Sequence, residues 1–87
     1  NSYKLEQNYP NPFNPSTKIS FNLPKAGITK LEIFDLSGKS VAVLIDRNIQ
    51  AGEQTVEFNA SNIASGIYIY RLTSGSFTEA KKMLLIK

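Results

Sequence analysis

Glycine recurs at positions 27, 38, 52, 66 and 75, and the stretches between these positions alternate polar and apolar residues with a period of two. This rhythm constrains the fold more than any other feature of the chain. A strand sends successive side chains to opposite faces, and glycine supplies the positive φ that tight turns need. The intervals of 11, 14, 14 and 9 residues match the turn spacing of an all-β sandwich. Lys18 to Leu23 and Thr55 to Asn59 alternate without a fault, which points Ile19, Phe21, Leu23, Val56 and Phe58 towards a core. Thr29 to Leu36 puts Leu31 and Ile33 on one face, with Glu32 and Phe34 on the other. Ile67 to Leu72 is β-branched and aromatic almost throughout, as suits a central strand covered on both faces. Val41 to Ile45 is a shorter apolar run, and Ile49 anchors the polar loop after it.

The expected fold is an antiparallel β-sandwich of seven, or six, strands. Its predicted core is Ile19, Phe21, Leu31, Ile33, Val41, Val56, Phe58, Tyr68, Tyr70 and Leu72. Two segments need separate treatment. Glu79 to Lys87 is rich in helix formers, but an all-β neighbourhood and the hairpin-like Ser74-Gly75 favour a return strand over a helix. In residues 1–16, Pro10, Pro12 and Pro15 fix φ, remove backbone donors and bias Tyr9, Asn11 and Asn14 towards extended conformations. Such a stretch is either a stiff rim on the domain or a preformed ligand for a partner's groove. As a rim, it should pack Phe13 and let Asn11 and Asn14 bond local backbone.

Composition excludes much enzyme chemistry. With no His and no Cys there is no Ser-His-Asp or Cys-His relay, no thiolate nucleophile and no imidazole or Cys zinc site. Glu53 and Glu57 share a strand face but lie about 13 Å apart at about 3.3 Å per residue. Glycosidase carboxylates need about 5–9.5 Å. No phosphate-binding glycine loop or calcium loop is present, and neither a cofactor nor a metal is expected. Asn59-Ala60-Ser61 has the letters of a glycosylation sequon, although an Asx turn ending a strand explains it as well. The net charge of +3 is spread along the chain, with no basic run that would suit nucleic acid. No apolar run approaches the roughly 20 residues of a membrane-spanning helix. Because the chain opens on Asn1 and its only Met is Met83, it reads as a piece of a longer precursor.

Tyr68 and Tyr70 share a face and suggest two roles, a stacking platform for sugars or core packing. Ile63-Ala64-Ser65-Gly66-Ile67-Tyr68 has the form of a tyrosine corner, in which a Tyr near a strand start bonds upstream backbone. That favours the core.

Five motifs in order also carry a family resemblance. Tyr9-Pro10-Asn11-Pro12-Phe13-Asn14-Pro15-Ser16-Thr17 before an alternating strand resembles the opening of the type A C-terminal sorting domain of the type IX (Por) secretion system. Phe34-Asp35-Leu36-Ser37-Gly38-Lys39, Ala51-Gly52-Glu53, Ile63 to Tyr68 and Lys81-Lys82-Met83-Leu84-Leu85-Ile86-Lys87 resemble that family's later elements. Ile63 replaces a commoner Leu, and Asn59 stands where an Asp is frequent. The resemblance implies an immunoglobulin-like domain that sends an N-terminal cargo across the outer membrane of a Gram-negative cell, to be secreted or held at the surface. It implies type IX translocon components as partners, together with a cell-surface sortase that removes the domain. The alternative is a structural or carbohydrate-binding immunoglobulin-like module of a larger extracellular protein.

On this reading residues 1–16 are a linker remnant and proline-rich lead-in, and residues 17–87 are the sorting domain, monomeric and not an enzyme. Gly38, Gly52, Gly66 and Tyr68 are its turn and corner residues, while Pro10 to Pro15 form the proline motif. Lys81 to Lys87 form a basic-apolar-basic strand that is either read by the translocon or only completes the sandwich and guards its edge: deleting Leu85 to Lys87 should stop export and leave a folded domain in the first case, and cost the fold in the second.

Overall fold

A computed structural model describes residues 2–87. The strands are β1 (Lys4–Leu5), β2 (Ser16–Leu23), β3 (Gly27–Phe34), β4 (Ser40–Ile49), β5 (Gly52–Asn59), β6 (Gly66–Ser74) and β7 (Phe77–Leu85), and no helix occurs among the described residues. They form two antiparallel sheets packed as a sandwich, one ordered β1-β2-β5 and the other β4-β3-β6-β7. The alternating stretches become strands because each must bury one face. Along β2, Ile19, Phe21 and Leu23 point inward, and in the facing sheet Leu31, Ile33, Tyr70 and Leu72 do the same.

Turns fall where the glycines stand. In the β3–β4 loop, the Asp35 carboxylate accepts hydrogen bonds from the Ser37 and Lys39 amides, and Gly38 takes φ +89°. Gly38 also donates its amide to the Asp35 carbonyl, a geometry that a side-chain-bearing residue enters only at a cost. Gly75 and Ser76 form the two-residue turn between β6 and β7. This hairpin makes Phe77 to Leu85 a strand, so sheet pairing overrides the helix propensity of the tail.

The core departs from expectation in identifiable places. Val41 and Val56 are only half-buried, because β4 and β5 are edge strands whose inner faces lie at the rim of the sandwich. Leu5, Phe13, Leu23, Ile45, Ile49, Ala60, Met83 and Leu85 complete the interior. Two of these, Leu5 and Phe13, come from the first sixteen residues. That segment therefore supplies a strand, pairing Leu5 with Phe21, as well as core side chains.

Candidate functional site

The proline segment and the tail, seventy residues apart in sequence, meet along the outer edge of β7. The Phe13 amide donates to the Leu84 carbonyl at 3.0 Å, and the Phe13 carbonyl accepts from the Ile86 amide at 3.0 Å. Together these bonds form a parallel bridge between Phe13 and Leu85. Beside it the Leu84 amide donates to Asn11 Oδ1 at 2.9 Å, and Gln7 Nε2 donates to the Lys82 carbonyl at 2.8 Å. The ring of Phe13 enters the core, 2% exposed, and lies tilted against Phe58 with centroids 6.2 Å apart. Residues 7–13 thus act as a strap across an edge that would otherwise show its backbone to solvent.

The strap is itself held from below. Asn8, buried, donates from Nδ2 to the Pro10 carbonyl at 3.1 Å and to Thr17 Oγ1 at 3.0 Å, and Thr17 Oγ1 donates to the Pro10 carbonyl at 2.8 Å. The Tyr70 hydroxyl donates to the Glu6 carbonyl at 2.7 Å and accepts from the Asn8 amide at 2.8 Å. Phe13 packs as the sequence suggests, but Asn11 bonds the distant backbone of Leu84 instead of its neighbours. Local bonding falls to Asn8, and Asn14 is exposed. Asn8, Gln7 and the second hydroxyl contact of Tyr70 escape sequence reading, because their partners lie beyond any local pattern. The one available signal was an Asn before Tyr9-Pro10, in a stretch where three prolines remove backbone donors.

The tyrosines are core residues. Tyr68 is 7% exposed and Tyr70 is fully buried, so neither offers a ring face to a sugar, which overturns the platform reading. The Tyr68 hydroxyl donates to the Ala64 carbonyl at 2.6 Å, four residues upstream, and makes the expected corner. At Asn59 the side-chain oxygen accepts the Ser61 amide at 2.9 Å, an Asx turn.

Burial pushes the Tyr70 phenol up to about 12. In the unfolded chain it titrates near its ordinary value of about 10. Its contribution to stability is therefore complete below pH 10 and is lost as the pH rises through 10 towards 12, where only the unfolded state releases the proton. Urea melts of the isolated domain should show a flat midpoint to about pH 10 and a fall above it, with a shallower fall in Tyr70→Phe. An equal alkaline fall in both proteins would show that Tyr70 is not the group responsible.

Along the tail the side chains divide by face. Met83 and Leu85 are buried, 1% exposed each, whereas Lys82, Ile86 and Lys87 are exposed and Leu84 is half-buried beside Ile67. Lys81 pairs with Glu79 at 3.5 Å, and Lys87 Nζ donates to the Ser61 carbonyl at 2.8 Å. None of the glycines lies on this edge, and Gly66 starts β6 opposite Leu85 on the paired side of β7. Gly38 and Gly52 stand at turns, with φ of +89° and +113°.

A family model described as a secretion system C-terminal sorting domain matches residues 7–87. No curated protein and no solved structure matches the chain.

Proposed function

Because the chain belongs to the C-terminal sorting domains of the type IX secretion system, we propose that its last strand, bounded by the proline strap, is the surface the export machinery reads. Membership makes the domain a sorting signal: it carries an N-terminal cargo in cis to the type IX machinery and through the outer membrane, to the cell surface or beyond. This is not an enzyme family, and a structural or carbohydrate-binding module is disfavoured. No helix among the described residues is long and apolar enough to cross a membrane.

The reading rests on one observation. The fold needs Met83 and Leu85, yet the same tail leaves Leu84 half-buried and displays Lys82 on β7 and Ile86 just past its end, with Ile86 50% exposed. An exposed apolar side chain beside lysines adds nothing to the core and suits a partner's surface. Residues 1–16 and 17–87 act here as one unit, since the strap shapes the edge that is read. We propose further that the domain catalyses nothing itself, is recognised as a monomer, and is removed after export by a cell-surface sortase.

A fusion of a periplasmic reporter to residues 1–87, expressed in a type IX-competent cell, tests the tail. Lys82→Glu combined with Ile86→Asp alters only exposed side chains, and should shift folding stability by no more than about 0.5 kcal/mol per site. Surface export of the fusion should fall about tenfold or more, the loss expected when about 1.4 kcal/mol of recognition is removed. Normal export of this variant would show that the tail side chains are not read.

A further inference from the structure

The β7 edge has a strapped half and an open half. Leu84 turns both its amide and its carbonyl away from β6, towards Asn11 and Phe13. In an antiparallel ladder this orientation repeats every second residue. The backbone groups of Lys82, Ala80 and Thr78 therefore also point outward, and the bond from Gln7 to the Lys82 carbonyl agrees. Gln7 is the last strap contact in that direction: among the described residues, the outward groups of Ala80 and Thr78 have no hydrogen-bond partner. Pairing with β6 runs without a register shift from Gly66–Leu85 to Ser74–Phe77, so this half-edge is straight and carries no proline.

Of the other three edges, β5 also runs eight residues without a register shift but displays Glu53 and Glu57, which do not suit a strand that brings a carboxylate, and the remaining two are blunted. β1 has only two residues, and the pairing of β4 with β3 shifts register twice. Lys82 is exposed and forms no ion pair among the described residues, unlike Lys81. Moreover, the β7 edge already accepts an extended segment in parallel register, its own strap at Phe13–Leu85.

We propose that the export machinery docks by adding an extended strand of its own to the open edge of β7 at Thr78 to Lys82, with a carboxylate opposite Lys82, and that the strap is the resident competitor for the rest of the edge. Main-chain hydrogen bonds then supply affinity, and the side chains of the tail supply selection. This inference rests on the reading of the tail as the recognised surface. It adds that the tail is read through its backbone as well as its side chains.

The test uses the same reporter fusion. Ala80 donates no hydrogen bond to β6, so Ala80→Pro deletes an outward donor and leaves the β6–β7 ladder intact, as proline is tolerated at such edge positions. Ala80→Val retains the amide and serves as control. Ala80→Pro should keep a cooperative melt and lose export about tenfold, while Ala80→Val exports as the parent does. A folded Ala80→Pro that exports normally overturns strand addition. If export is then still lost in the Lys82→Glu, Ile86→Asp variant, the tail reading stands and only the backbone mode fails. Should Ala80→Pro not fold, Gln7→Ala with Asn11→Ala decides the matter. Baring the Lys82 carbonyl and the Leu84 amide, while the Phe13 bridge to Leu84 and Ile86 is kept, should raise export about twofold or more, a gain that loss of a purely structural brace does not produce. Unchanged or lowered export of that variant overturns the proposal.

Discussion

Replacing Phe13 with alanine should cost the domain about 3–5 kcal/mol, the usual range for emptying a buried aromatic site. The ring is buried against Phe58, in a chain whose total stability is expected to be roughly 4–13 kcal/mol at about 0.05–0.15 kcal/mol per residue. The loss is not confined to the cavity. Phe13 also carries the two backbone bonds that fasten the strap to Leu84 and Ile86, and losing the ring that anchors this position loosens both. Chemical denaturation should show a large drop in midpoint, with faster amide exchange at Ile86 than at Tyr70. A midpoint within about 1 kcal/mol of the parent would mean that the site collapses on the cavity and that the strap holds without its anchor.

Deleting Leu85 to Lys87 should unfold most of the domain, the second of the two outcomes that the sequence left open. Leu85 is 1% exposed and pairs with Gly66, and losing a buried leucine costs about 2–5 kcal/mol by itself. The same cut removes the Ile86 amide from the Phe13 carbonyl, and Lys87 from Ser65 and Ser61. Circular dichroism of the shortened domain should lack a cooperative transition at room temperature. A cooperative melt close to the parent's would restore the view of the tail as a detachable signal. Because the cut damages scaffold and surface together, its effect on export cannot separate them, and the exposed-face substitutions are the informative ones.

What the sequence revealed, and what it hid, follows from the range of each interaction. Alternation is a local property, so Ile19 and Phe21 on β2, and Leu31 and Ile33 on β3, were legible from spacing alone. The corner at Tyr68 was legible for the same reason, since its partner Ala64 is four residues away. Burial depth was less so. Val56 alternates correctly on β5, yet a strand at the edge of a sheet is incompletely covered, and position within a sheet is not written in the period. The strap was the least legible element. Asn11 finds Leu84 at a separation of 73 residues, and Tyr70 finds Glu6 at 64, where no short-range pattern reaches. Motif order pointed to both ends of the chain separately. Their contact is a matter of topology.

That contact also sets a clock. A ribosome must add 73 residues after Asn11 before the amide of Leu84 exists to meet it, roughly 4–15 s at about 5–20 residues per second. Throughout that interval Phe13 has no β7 to fasten to, and one side of the sandwich is missing. The strap therefore closes last, after every strand of the sandwich upstream of Leu84 has been made.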